Sequence, residues 1–277
     1  MSRIPRRFEQ LREQGRKALI PYITGGDPEP AATVGLMQRL VSSGADIVEV
    51  GIPFSDPMAD GPTIQRACER ALAHGTSTRD ILGMIREFRR GDSDTPVVLM
   101  GYLNPMEQMG YEVFAREAAA AGVDAVLTVD LPPEEGHELV TALTEYDLDP
   151  IWLVAPTTRQ ERIEAICSVA RGFVYYVSLK GVTGAATLDF DDVARHVDQI
   201  ARATQLPVGV GFGIRDAETA ARIAGVADGV VVGSAIVQLI GDNAGDAAAR
   251  ETAVGDLAAG MRRAMDQTEN YHRPEAS

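Results

Sequence analysis

Eight short apolar runs recur along this chain, rich in branched aliphatic residues and with little polar alternation: ALIPYIT (18–24), DIVEVGIP (46–53), PVVLMGYL (96–103), DAVLTVDLP (124–132), PIWLVAP (150–156), FVYYVS (173–178), PVGVGFG (207–213) and DGVVVGSAIV (228–237). A run of that length without alternation is the pattern of a parallel strand buried on both faces. Helix-periodic stretches lie between them. AATVGLMQRLVSSG and TIQRACERALAHG end at Gly44 and Gly75, where a helix end accepts a glycine. YEVFAREAAAAG, PEEGHELVTALTEY, RQERIEAICSVAR, DFDDVARHVDQIARAT and DAETAARIAG continue the series, and a last helix falls near 246–266. Strand–helix units repeated about eight times predict an α/β fold, a (β/α)8 TIM barrel with extra N-terminal and C-terminal helices, over an open doubly wound sheet. No linker divides the chain, so a single domain over 1–277 is expected, with about 267–277 as a frayed polar tail.

The charge narrows the function. A formal net charge of −14 repels phosphate backbones, which argues against nucleic-acid binding. An anionic small molecule would then need a local seat, which helix N-termini and backbone N–H groups supply. Cys68 and Cys167 fall in separate helix-like stretches without metal-ligand spacing, so reduced thiols and no metal are expected. The N-terminal MSRIPRRFEQLREQGRK reads as a short amphipathic helix without the apolar core of a secretion signal. No apolar run has the length of a bilayer span. The expectation is a cytoplasmic protein that does not engage a membrane.

In a barrel of this kind the chemistry sits at the C-terminal ends of the strands. Glu49 lies inside the second run, with Ile47 and Gly51 as its alternation partners. Facing the barrel interior, its carboxyl would lose hydration, rise in pKa and become able to give and take a proton near neutral pH. The competing reading is an ion pair with a basic residue from a distant strand, since no Lys or Arg lies between Val41 and Gln65. The stiff loop GIPFSDPMADGP (51–62) follows. Its Asp60 is either functional or the cap of a helix that opens at Pro62, and Asp56 is placed to close a turn with Ser55. At the other side, SLKGVTGAATL, GFGIRDAET and GSAIVQLIG follow the last three strands. Gly213 and Gly233 would let backbone approach an anion, and Ser234 would offer a hydroxyl at the start of the short helix SAIVQLI. Each glycine alone reads first as a turn residue, but three glycine-rich turns at the ends of successive strands weaken that reading. Lys180 reads as a solvated loop charge.

VEVGIPFSDPMADGPTIQ (48–65) resembles the signature of the tryptophan synthase alpha chain family. The agreement continues in order through PYITGGDP (21–28), MGYLNP (100–105), VDLPPEE (129–135), GVTG (181–184), GFGI (211–214) and GSAIV (233–237). The resemblance implies a lyase that cleaves indole-3-glycerol phosphate to indole and glyceraldehyde 3-phosphate. Glu49 matches the family's catalytic glutamate and Asp60 the aspartate that binds the indole N–H. Both types suit the chemistry: C–C cleavage requires protonation at indole C3, and the resulting cation, centred on the ring nitrogen, is stabilised by a facing carboxylate. Asp60, on a wetter loop, is expected to be the ionised one. Gly184 matches a further phosphate-contact glycine, and Thr183 a threonine of a closing loop. The strand-end residues Tyr22, Met100, Leu127, Tyr175 and Phe212 are expected to line the indole pocket. Tyr22 stands where some relatives carry phenylalanine, and its hydroxyl needs a partner. The resemblance also implies a pyridoxal-phosphate beta chain in an alpha2-beta2 heterotetramer, with Pro53, Asp56, Pro57, Asn104 and Pro132 at interface positions. The pyridoxal phosphate would be the partner's, with no cofactor on this chain. Another phosphate-sugar barrel, or a barrel that only activates a beta chain, are the alternatives.

Overall fold

The computed structural model describes residues 2–178, 189–211 and 213–268. Eight parallel strands close into a barrel in chain order: β1 (Ala18–Thr24), β2 (Val48–Gly51), β3 (Val97–Gly101), β4 (Ala125–Thr128), β5 (Asp149–Val154), β6 (Val174–Val177), β7 (Val208–Gly211) and β8 (Gly229–Val232), with β8 pairing back onto β1. Most strands are shorter than the apolar runs that contain them. The tails of the runs leave the sheet and build the rim at the C-terminal end. Three run-opening aspartates act below the strands instead. Asp46 donates its N–H to the Leu19 carbonyl and accepts the Leu19 N–H on its carboxylate. Asp124 does the same with Val97, and Asp228 with Val208. Each closes the start of one strand onto its neighbour and satisfies two backbone groups that the ladder leaves open.

The helices are α1 (Ile4–Glu13), α2 (Ala32–Ser42), α3 (Pro62–Ala73), α4 (Thr78–Phe88), α5 (Leu103–Met109), α6 (Tyr111–Ala121), α7 (His137–Glu145), α8 (Gln160–Val169), α9 (Phe190–Ala203), α10 (Ala217–Ala224), α11 (Ser234–Asp242) and α12 (Ala247–Asp266). The sequence reading placed one helix between β2 and β3, whereas two are present. In α4, the second of them, Ile81, Leu82, Ile85 and Phe88 form the buried stripe, and Ser77 and Asp80 cap each other's backbone N–H groups. α3 is therefore an insertion at the barrel mouth, and α4 lies between α2 and α6 in the outer layer.

The barrel interior is filled by Ile20, Ile47, Val98, Leu127, Phe173 and Val231, among others. Ile4, Phe8 and Leu11 from α1 join that cluster, and the rings of Phe8 and Phe173 lie 5.9 Å apart between centroids. α1 thus plugs the N-terminal end. It is fastened by Arg3, whose N–H and guanidinium both donate to Oδ1 of Asp124, at 2.8 and 2.9 Å, while Arg89 donates to Oδ2 at 2.9 Å. With that end closed, the cavity of the barrel opens at the C-terminal ends of the strands.

Candidate active site

Tyr22 of β1, Glu49 of β2, Met100 of β3, Leu127 of β4 and Tyr175 of β6 face a common cavity of about 630 Å³ at that open end. Tyr22 and Glu49 are register partners across β1 and β2. The side chain of Glu49 is buried, and neither carboxyl oxygen has a hydrogen-bond partner among the described residues. Among the described residues no basic side chain pairs with it, so the ion-pair alternative finds no support there. Burial in this apolar setting, and secondarily the nearby charge of Asp60, push its pKa up to about 8. A carboxyl so placed can both give and take a proton near neutral pH.

Asp60 comes from the loop between β2 and α3. Gly61, not Asp60, is the N-cap residue of α3 and makes no side-chain cap, so the capping reading fails. Asp60 instead accepts a hydrogen bond from the Tyr102 hydroxyl at 2.9 Å, and its backbone carbonyl accepts one from Gln65 at 2.8 Å. Burial, the larger effect, raises its pKa above the ordinary value, and the Tyr102 bond offsets part of that rise, so the loop is less wet than the sequence suggested. The two carboxyls thus share one cavity in different surroundings: one has no partner among the described residues, the other is held by a phenol. Asp56 is the turn residue the sequence suggested, accepting from Ser55 Oγ at 2.6 Å.

The two pocket tyrosines depend on glycines in neighbouring strands. A Cβ at Gly51 would sit 2.1 Å from the Tyr22 hydroxyl, and one at Gly211 would sit 2.1 Å from that of Tyr175. Both glycines leave room for a ring to lie across the mouth. The Tyr22 hydroxyl finds its partner in Thr24 Oγ1 at 3.2 Å. Gly213, at φ +79°, lines the same cavity with Gly233 and Ser234. Ser234 is the first residue of α11, so the free N–H groups of that helix open beside the cavity. Thr183, Gly184, Phe212 and Lys180 lie outside the described residues.

Pro53, Asp56 and Pro57 follow β2, Asn104 lies in α5 after β3, and Pro132 follows β4, all at the C-terminal end of neighbouring strands. Met58, on the same loop as the first three, is 79% exposed. Cys68 and Cys167 are both buried and are not joined in a disulfide. Among the described residues no cluster of His, Cys, Asp or Glu is arranged to hold a metal ion, and no helix is long and apolar enough to cross a membrane.

Sequence reasoning missed Tyr102, Phe190 and Arg222. Tyr102 is the last but one residue of the third apolar run, but its partner comes from a loop 42 residues earlier. Phe190 opens α9 and Arg222 lies in the last turn of α10, and both line the cavity. Aromatic and basic residues at such helix ends carry no local signal of a site.

A buried carboxyl without a described partner and a second carboxyl held by a phenol, set at the mouth of a parallel barrel beside a helix N-terminus, are the makings of a barrel enzyme of the acid–base class. Comparison with known proteins narrows the class. The family model for the tryptophan synthase alpha chain matches residues 8–266. A tryptophan synthase alpha chain from Thioalkalivibrio sulfidiphilus is 63% identical over 266 residues, covering 96% of this chain and all of that one. The crystal structure of tryptophan synthase subunit alpha from Legionella pneumophila superposes with a TM-score of 0.89 at 46% identity, covering 96% of this chain and 99% of that chain. Tryptophan synthase from M. tuberculosis in its aminoacrylate-bound form gives 0.83 at 40% identity over 95% of this chain and all of the matched one. This chain belongs to the tryptophan synthase alpha chain family. Its activity is that family's lyase reaction in tryptophan biosynthesis, the cleavage of indole-3-glycerol phosphate to indole and glyceraldehyde 3-phosphate.

Proposed function

We infer that Glu49 carries both proton transfers of this cleavage and that Asp60 stabilises the charge which develops between them. Protonated Glu49 delivers its proton to indole C3. The ring nitrogen becomes the centre of positive charge, and Asp60, ionised and held by Tyr102, faces the N–H. The C–C bond then breaks, the electron pair returns to the indole, and the glycerol hydroxyl becomes the aldehyde as its proton passes to Glu49. The carboxyl is restored for the next cycle, and no cofactor enters the scheme. The observation that carries the reading is the isolation of Glu49. A buried carboxyl with no partner among the described residues and a pKa pushed up to about 8 is poised for proton exchange with a ligand.

The indole ring would lie among Tyr22, Met100, Leu127 and Tyr175, with Phe212 completing the slot. The phosphate would lie on Gly213, Gly233 and the N-terminus of α11 at Ser234, with Gly184 as a further contact and Thr183 closing over the ligand. In this reading the whole chain acts as one barrel domain in the cytoplasm. It docks a pyridoxal-phosphate beta chain in an alpha2-beta2 assembly through Pro53, Asp56, Pro57, Asn104 and Pro132. The name of the M. tuberculosis structure, tryptophan synthase, and the exposed Met58 on that face support the docking.

The test is release of indole from indole-3-glycerol phosphate by the purified chain, with and without a beta chain, comparing wild type with Glu49→Gln and Asp60→Asn. Both variants should fold, and both should lose most of the lyase rate. A wild-type rate in Glu49→Gln would overturn the assignment of the proton-transfer role.

A further inference from the structure

Backbone N–H groups and one hydroxyl make up the phosphate seat at Gly213, Gly233 and Ser234. In a chain of net charge −14, a cation added there has a large effect on the local field. One is present. Arg222, in the last turn of α10, lines the same cavity together with Phe190. Its guanidinium carbon lies 3.4 Å from the centroid of the Phe190 ring. Contact with the ring's negative face restrains the long side chain and leaves the edge of the guanidinium, with its N–H donors, unengaged. Arg70, Arg89, Arg250 and Arg262 are each bound to carboxylates. Among the described residues Arg222 has no hydrogen bond or ion pair, only the Phe190 contact. The other charges on that side are Arg215 and Asp216, which lie 3.8 Å from each other, and Glu218, one turn before Arg222 and unpaired with it.

The geometry points to Arg222 as a specificity-determining residue for the phosphate end of the substrate, a guanidinium braced on Phe190 that adds a charged, multi-donor contact to an otherwise neutral seat. The inference rests on the reading of Gly213, Gly233 and Ser234 as that seat. A guanidinium suits a phosphate because its fork of donors matches two oxygens at once. Its exposed position limits the gain and makes it sensitive to salt.

The experiment uses the purified chain with its beta chain and the variants Arg222→Gln, Arg222→Lys and Ser234→Asp. KM and kcat for indole-3-glycerol phosphate are measured, along with inhibition by glycerol 3-phosphate and, separately, by indole. Arg222→Gln is expected to raise KM about 5-fold with kcat unchanged, and to weaken glycerol 3-phosphate inhibition by the same factor, as for loss of one partly exposed charged contact. Indole inhibition should stay at the wild-type level. Arg222→Lys should recover most of the difference, and about 0.5 M salt should close the gap between Gln and wild type. The proposal is overturned if Arg222→Gln leaves KM and glycerol 3-phosphate inhibition unchanged, or if it weakens indole and glycerol 3-phosphate alike. Ser234→Asp separates the two layers of the argument. Loss of glycerol 3-phosphate inhibition in Ser234→Asp with a silent Arg222→Gln removes only the role of Arg222. Full inhibition retained in Ser234→Asp removes the phosphate seat itself.

Discussion

The hydroxyl of Tyr102 donates to Oδ2 of Asp60 at 2.9 Å while accepting the N–H of Ala59 at 3.0 Å. One phenol therefore fixes both the carboxylate and the backbone that presents it. Phe54 stacks on the same ring with centroids 5.2 Å apart, which ties the loop to β3 from its other side. Tyr102→Phe keeps the ring and removes the donor. The hydrogen bond lowers the pKa of Asp60 against the burial that raises it, so its loss moves the pKa up. The acidic limb of kcat/KM should shift to higher pH, and kcat/KM at neutral pH should fall about 10-fold, as for a hydrogen bond to a charged group. Superimposable pH profiles would show that Tyr102 does not hold Asp60 in its working state.

Glu49 makes a prediction about stability as well as rate. Its pKa rises from an ordinary value of 4.5 to about 8 on folding. The folded state therefore holds a proton that the unfolded chain has released. Below about pH 4.5 both states are protonated and there is no cost. As pH rises towards 8 the folded state loses stability relative to the unfolded one, by on the order of a few kcal/mol in total. Glu49→Gln should remove that slope. Urea midpoints taken from pH 5 to pH 9 should fall less in the variant than in wild type. Indole release should drop by roughly 10²–10⁴-fold, the usual contribution of a proton-transfer group. A variant less stable than wild type at pH 9 would contradict the account of an unpartnered carboxyl.

Gly51 and Tyr22 should behave as a pair. Gly51→Ala places a methyl group where the Tyr22 hydroxyl lies and forces the ring aside, an overpacking cost of about 1–3 kcal/mol. Lyase activity should fall with it, because the ring lines the cavity next to Glu49. Tyr22→Leu shortens the side chain and removes the clash. The double variant should be more stable than the sum of the two single changes predicts, which thermal unfolding of all four proteins measures. Strict additivity would mean that the ring does not occupy the space the glycine leaves.

The N-terminal end of the barrel should separate stability from catalysis. Asp124 is buried and receives Arg3, Arg89 and the Val97 N–H. Asp124→Ala leaves Arg89 without its carboxylate and loosens α1, at a cost of about 3 kcal/mol or more. At temperatures where both proteins are folded, KM and kcat should match wild type, since function on this fold belongs to the other end. A raised KM without loss of stability would reverse that division.

The barrel was legible because its strands are buried on both faces and so stand out as unbroken apolar runs. The runs overshot the strands for two physical reasons. Asp46, Asp124 and Asp228 at their starts bind the neighbouring strand from below, and the residues at their ends turn outward to form the mouth. The helix at 78–88 escaped notice although Ser77 and Asp80 mark its start, because the α3 pattern already supplied a helix for that connection. Glu49 and Asp60 were legible because a charge in an apolar run and a carboxylate in a proline-stiffened loop are both out of place locally. The partnership of Tyr102 with Asp60, and of Arg222 with Phe190, was not, since each joins elements whose relative rotation only the closed barrel determines. Their places at strand ends point to Tyr22 and Tyr175, but do not reveal the glycines across from them that give the rings their space.

The Glu49 carboxyl is not wired to any other acid of the described chain, so its traffic must pass through whatever fills the mouth. In the cycle proposed above a seated ligand is then a stopper as well as a reactant: the hydrogen given to the ring would come back from the glycerol hydroxyl as the aldehyde forms, so that cleavage would complete without drawing on bulk solvent.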